Sequence, residues 1–185
     1  MLGMASLERD TAILEVGSGD GNLAATFGEL GFTDVTGVEV QHELVATQVA
    51  AERTVVGSAD ALPVRSSSIG AVVVMDVLHH LDAAGIDAAL HECRRVLRPG
   101  GVLFVCEPGD TWVRRALEPV VLGPLAGLTA FSRHKRTMLE HEQATLVPWL
   151  QGERTVEDRY RSAGFAVDHS ARRMLHTYVR LRPTG

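Results

Sequence analysis

Apolar positions fall in short unbroken runs that alternate with stretches of helical spacing. Thr11-Ala-Ile-Leu-Glu-Val16 is an apolar run that ends on a glycine cluster and predicts a strand buried on both faces. Asn22 to Leu30 has helical character, and Gly31 closes it as a C-terminal glycine does. Val35 to Val40 predicts a second strand, His42 to Glu52 a second helix and Thr54 to Val56 a short third strand. Ile69 to Met75 is the clearest strand of the chain. Asp82 is placed to cap a helix running from about Ala83 to Leu97. Arg98-Pro-Gly-Gly101 predicts a turn, and Val102 to Cys106 a fifth strand. This alternation demands a mostly parallel sheet with helices on both faces.

The rhythm changes after Cys106. Two amphipathic helices are predicted over Thr111 to Leu122 and Ser132 to Leu146, joined by a segment rich in Pro and Gly. A further helix is expected over Thr155 to Ala163, with Thr155 as its cap and Gly164 as its stop. Phe165 to Ser170 and Met174 to Leu181 read as a closing pair of strands. One domain over residues 1–185 is expected, with 108–152 as a helical insertion on the substrate side.

Composition narrows the function classes. A net charge of −5 argues against a nucleic-acid binder, and the basic run Arg133-His134-Lys135-Arg136 reads first as a solvated helix face. Cys93 and Cys106 form no CxxC pair, so no zinc or redox motif is present and two reduced, buried thiols are expected. Residues Met1 to Asp10 carry no basic end followed by an apolar run, and no stretch reaches the ~20 apolar residues of a membrane span. A cytoplasmic location is expected.

The candidate chemistry lies at strand ends. Gly17, Gly19 and Gly21 follow the first strand and open a helix, where a backbone without Cβ atoms turns sharply and approaches a ligand closely. The dinucleotide fingerprint G-x-G-x-x-G/A would need Gly or Ala where Asn22 stands. Glu15 sits two residues before the first glycine, in a buried strand where a charge is costly without a purpose. It is read as meeting a cationic ligand group; acceptance of glycine-loop amides is the plainer alternative. Glu39, 18 positions after Gly21, is placed to take the hydroxyls of a ribose. Asp60 in Gly57-Ser-Ala-Asp60 either accepts from an adenine amino group or caps a turn. Asp76, His79 and His80 end the fourth strand, where such sheets bind ligands.

Five segments in register resemble the class I S-adenosylmethionine-dependent methyltransferases: Ile13 to Gly21, Gly37 to Glu43, Gly57 to Pro63, Val72 to Leu81 and Arg95 to Leu103. They look closest to the small-molecule group that includes the quinone-biosynthesis C-methyltransferases. The resemblance implies a Rossmann-like, doubly wound α/β fold, with a mostly parallel seven-stranded sheet, an antiparallel last strand and helices on both faces. It implies S-adenosyl-L-methionine as cofactor, with S-adenosyl-L-homocysteine as product. Glu15 and the loop of Gly17, Ser18, Gly19 and Gly21 would hold the methionine part. Glu39 and Val40 would hold the ribose, Ala59, Asp60 and Ala61 the adenine, and the backbone of Asp76 the methionine amine.

The expected reaction is methyl transfer to a small-molecule acceptor. His79 and His80 are the catalytic candidates, either as general base or as shapers of the cofactor floor; Glu107 is a further candidate by position, and His134 and His141 weaker ones. Trp112 and Trp149 read as core anchors or pocket walls. Relatives carry extra helices before the first strand, so a lid borrowed from a second copy in a homodimer is one expectation. A SAM-binding regulatory subunit is the alternative from another class. The resemblance brings no metal, and neither a nucleic-acid partner nor a membrane span is expected.

Overall fold

The computed structural model describes residues 7–48, 53–115 and 145–185. β1 (Ile13–Val16) is buried at all four positions, as an unalternating apolar run requires. It leads into α1 (Asn22–Glu29), β2 (Val35–Glu39), α2 (His42–Val45), β3 (Thr54–Val56) and β4 (Ile69–Met75). A 3-10 turn over Leu78–His80 precedes α3 (Ala83–Val96) and β5 (Leu97–Pro108). The last helix is α4 (Glu153–Ser162), followed by β6 (Phe165–Arg173) and β7 (His176–Pro183). Residues 112–115 and 145–151 are also helical.

The seven strands form one sheet in the order β3-β2-β1-β4-β5-β7-β6. β1 pairs in parallel with both β2 and β4, and β4 in parallel with β5; β7 runs antiparallel to β5 and to β6. The chain therefore builds outward from β1 to β3, then returns to lay β4 on β1's other edge. That reversal opens a crevice at the carboxyl ends of β1 and β4, where ligands bind in such sheets.

Residues of alternate parity separate the two faces. Leu14, Val16, Val72, Val74, Leu103 and Val105 pack with Ile86, Leu90 and Cys93 of α3 and Tyr160 of α4. Ile13, Ala71, Val73, Val102 and Phe104 pack with Phe27 of α1. Glu15 shares the parity of Ile13, so it points to the α1 side. Phe27 meets Phe32 edge to face at 5.6 Å.

Several predicted boundaries move. The Arg98 to Gly101 turn lies inside β5: Ile69 pairs with Leu97 and Ala71 with Val102, and the residues between are looped out, with Gly100 at φ 78°. The last helix begins at Glu153 with Gly152 at its cap, placing Thr155 within the helix rather than before it. The first closing strand runs on to Arg173, the second is shifted to His176–Pro183, and the two turn through Met174 and Leu175, Met174 at φ 52°. Asp82 does cap α3, its Oδ1 accepting from the Gly85 amide at 2.8 Å. Residues 46–47 form a turn, so α2 is one turn long where eleven residues were expected to be helical; 49–52 lie outside the described residues. Most of the 108–152 insertion, including Arg133 to Arg136, His134 and His141, also lies outside them.

Cys93 and Cys106 are buried and not joined in a disulfide, and burial pushes both thiols up to about 12. Among the described residues no helix is long and apolar enough to cross a membrane.

Candidate functional site

The glycine turn is built by three left-handed residues in alternation: Gly17 (φ 73°), Gly19 (φ 52°) and Gly21 (φ 79°). The Gly17 and Ser18 amides both donate to the Val38 carbonyl, at 2.8 and 3.1 Å, tying the turn to the end of β2. A Cβ on Gly17 would stand 2.3 Å from Val77 Cγ2. Gly17→Ala is therefore expected to cost at least about 2 kcal/mol, combining left-handed strain with overpacking. Thermal denaturation checks this; an unchanged melting temperature would show that the turn tolerates a side chain.

Glu15 is 4% exposed, and one carboxylate oxygen, Oε2, has no partner among the described residues. Burial is the main cause that raises its pKa from 4.5 to about 7; hydrogen bonding by the Ala24 backbone opposes this, and the nearby Asp20 and Glu39 charges add to the rise. Ala24 lies in the first turn of α1, whose cap residue Gly21 offers no side chain. Glu15 thus caps α1 from the neighbouring strand with part of its carboxylate and leaves the rest unsatisfied.

Glu39 is also buried, and it bridges two loops. Its Oε2 accepts from the Gly19 amide and its Oε1 from the Gln41 amide, each at 2.9 Å. Each carboxylate oxygen keeps a second acceptor direction for a ligand hydroxyl. Val40, beside it, is 64% exposed. Ala59, Asp60 and Ala61 lie in a turn closed by the Ala61 amide on the Ser58 carbonyl at 3.1 Å, with Asp60 exposed. The Gly57 amide donates to the Glu39 carbonyl at 2.9 Å, so this turn and the Glu39 strand end share one edge.

Two supports escaped the sequence reading. Gln48 Nε2 donates to the Gly19 carbonyl and to the buried Ser18 hydroxyl, at 3.1 Å in the second case, and locks the turn from α2's side. Glu92 and Arg95 staple the loop after Asp60. Glu92 Oε2 accepts from the Leu62 amide at 2.8 Å, while Arg95 donates to the Leu62 and Val64 carbonyls at 2.9 and 2.8 Å. Their own contact, Arg95 Nε to Glu92 Oε1 at 2.6 Å, holds the Glu92 carboxyl below its usual range. The i, i+3 acid–base spacing is the signal that could have found this pair.

Beyond the crevice, Asp76 follows the last residue of β4, adopts φ 53° and donates its amide to the Cys106 carbonyl at 2.9 Å. The next turn is organised by buried Glu107. Its Oε1 accepts from the Val77 and Leu78 amides at 2.9 and 2.8 Å, and its Oε2 lies 2.7 Å from His79 Nδ1. The sequence pair His79–His80 is thereby split: His79 is buried against Glu107, and His80 is exposed, its ring 4.0 Å from that of His79. Trp149 is buried, donates Nε1 to the Pro108 carbonyl at 2.9 Å and meets His79 edge-on, whereas Trp112 is 80% exposed. A cavity of about 490 Å³ opens beside His79 and His80, reaching Trp149, Thr155 and Arg159.

Residues 14–105 match the family model described as a methyltransferase domain. Over these residues the chain belongs to the methyltransferase domain family. An uncharacterized methyltransferase of Mycobacterium tuberculosis is 34% identical over 93 residues, covering 49% of this chain. The chain's match spans only 37% of that relative's length. Two solved structures share the fold at low identity. A TehB-like SAM-dependent methyltransferase from Corynebacterium glutamicum superposes with a TM-score of 0.65 at 16% identity, over 97% of this chain and 84% of that one. A Haloferax volcanii putative methyltransferase, solved in complex with the Trm112 methyltransferase activator, gives 0.69 at 16% identity, over 97% and 85%. Glu15, the glycine turn, Glu39, Asp60, Asp76 and both histidines all fall inside the matched methyltransferase domain; Glu107 lies just beyond it.

Proposed function

We propose that this methyltransferase domain binds S-adenosylmethionine in the β1–β4 crevice and transfers its methyl group to a small-molecule acceptor. The observation that carries the proposal is the buried, half-satisfied Glu15 carboxylate beside the three-glycine turn. A buried anion with an open acceptor suits an ammonium, and the turn admits the chain of a bound methionine moiety without Cβ atoms in its way. Glu39, already pinned by two amides, is pre-oriented for the ribose hydroxyls. Asp60, on the same edge, is assigned to the adenine.

The bound cofactor supplies an activated methyl on a sulfonium, so the protein's share of the work is positioning and the exclusion of water. Glu107 fixes the His79 ring and the backbone of the turn that carries it. His80, exposed on the same turn, is the histidine assigned to meet the acceptor, in the cavity it lines with His79 and Trp149. Its role is to orient an acceptor hydroxyl or acidic carbon and take its proton. The insertion of residues 108–152 is assigned to acceptor choice, as long inserted segments commonly are.

Calorimetric titration tests the cofactor assignment. S-adenosylhomocysteine is expected to bind in the micromolar range and NAD not at all. Glu39→Ala, which removes both side-chain acceptors for the two hydroxyls, is expected to weaken binding by about 100-fold. Equal binding of both ligands, or an unaffected variant, would reject it.

A further inference from the structure

The carboxyl ends of β4 and β5 and the first residue of β7 gather four side chains that the cofactor assignment leaves without a ligand. Asp76, His79 and Glu107 each present a donor atom, and these atoms all lie within 4.8 Å of one another. His176 joins them through Asp76, its Nε2 3.2 Å from Asp76 Oδ1. Glu107 pairs with His79 and Asp76 with His176. We propose that Asp76, His79 and Glu107, with His176 as a fourth donor, form a site for one divalent cation of the borderline class, such as Mn²⁺, Co²⁺ or Zn²⁺.

For Asp76, His79 and Glu107 the geometry needs little adjustment, whereas His176 touches only Asp76 and must move inward with it. Ligand atoms about 2.1 Å from a common metal stand roughly 3.0–3.4 Å apart. His79 Nδ1 and Glu107 Oε2, at 2.7 Å, need to part by only a few tenths of an ångström. Asp76 is half-exposed and free to swing by the further ångström or so that its separation requires. Glu107 already has the support a metal ligand needs: the Val77 and Leu78 amides hold its other oxygen and orient the carboxylate. Ligation through Nδ1 takes the neutral ring with its one proton on Nε2, so the hydrogen bond from His79 to Glu107 Oε2 is exchanged for two bonds to the cation. Two carboxylates and two imidazoles without a thiolate select this class of ion over Cu(I), and the imidazoles disfavour Mg²⁺ and Ca²⁺.

The register brings the four together. Met75 pairs with Cys106 and Pro108 with His176, so the residue after β4, the penultimate residue of β5 and the first of β7 lie side by side. Thr111 and Arg114 anchor the β6–β7 turn next to them, donating to the Met174 and Leu175 carbonyls. Of the four only His79 lines the cavity beside His80, so a cation held by it would adjoin that cavity and polarise an acceptor oxygen there. That role rests on the methyl-transfer reading; the site itself does not.

The test is binding of the metal alone to the full chain after chelator treatment, without cofactor. Titration with Co²⁺ is expected to give one equivalent per chain and visible d–d absorption, and Mn²⁺ to compete for it. Asp76→Asn and His176→Gln, both at partly exposed positions and so harmless to folding, should each weaken binding by 10- to 100-fold. Saturating Mn²⁺ should raise the melting temperature of the wild type and not that of Asp76→Asn. Absence of Co²⁺ binding, or binding unchanged in both variants, would overturn the site and leave two carboxylate–imidazole hydrogen bonds in its place. Neither result bears on S-adenosylhomocysteine affinity, so failure here and failure of the cofactor assignment are read separately.

Discussion

Glu15→Gln is expected to make the ligand-free protein more stable and the cofactor complex weaker. With its folded-state pKa near 7 against 4.5, native Glu15 retains a proton that the unfolded chain has released. Its contribution is therefore neutral below about pH 4.5. Stability is lost as pH climbs through the window to 7, and above it the full cost of an ionised buried carboxylate remains, about 3 kcal/mol. Glutamine keeps an oxygen for the α1 amide and never ionises. Denaturant unfolding at pH 5 and pH 8 measures the difference, which should be small at the first and approach that figure at the second. The same substitution removes the anion that faces the ligand ammonium, and S-adenosylhomocysteine affinity should fall at least about tenfold. Binding near pH 7 should also release a proton, because a cation beside Glu15 favours its ionised form; calorimetry in buffers of different ionisation enthalpy detects it. A variant less stable than wild type at pH 8 would mean that Glu15 serves the fold alone.

Glu107→Ala carries the largest expected loss of stability. The carboxylate is 2% exposed and holds the Val77 and Leu78 amides together with the His79 ring. Removing it leaves two buried amides and an imidazole without their acceptor, a loss of about 3–5 kcal/mol. For a domain of this size that corresponds to a fall of roughly 10 °C in melting temperature. Glu107→Gln, which retains an oxygen for the amides, should recover more than half of it. A fall of only a degree or two in the alanine variant would show that the turn after β4 holds its shape without Glu107.

The two effects arise from opposite arrangements of the same residue type. Glu15 is buried with an acceptor left over, so its charge destabilises the fold until a ligand arrives. Glu107 is buried with its acceptors filled, so its charge is already compensated and its loss is felt at once. Charge and burial alone would have classed them together.

Local rules determined the sheet and the cofactor side of the site. Strands β1 to β5 were legible because an apolar run bounded by turn residues has few other ways to bury itself. The cofactor candidates were legible because a glycine turn and the carboxylates at Glu15 and Glu39 recur at spacings set by one βαβ unit. Helix and hairpin limits were less so: the Arg98 to Gly101 breakers read as a strand boundary, yet pairing resumes across them because β4 supplies a partner on both sides. Only the tertiary structure decided which acid is satisfied and which is not. Glu107 meets His79 across 28 residues, Glu92 meets Leu62 across 30, and Gln48 meets Gly19 across 29. Such contacts follow from strand order and register, which place distant segments side by side, and no spacing along the chain encodes them. The gathering of Asp76, His79, Glu107 and His176 is of the same kind: four scattered side chains become neighbours because three strand ends meet at one edge of the crevice.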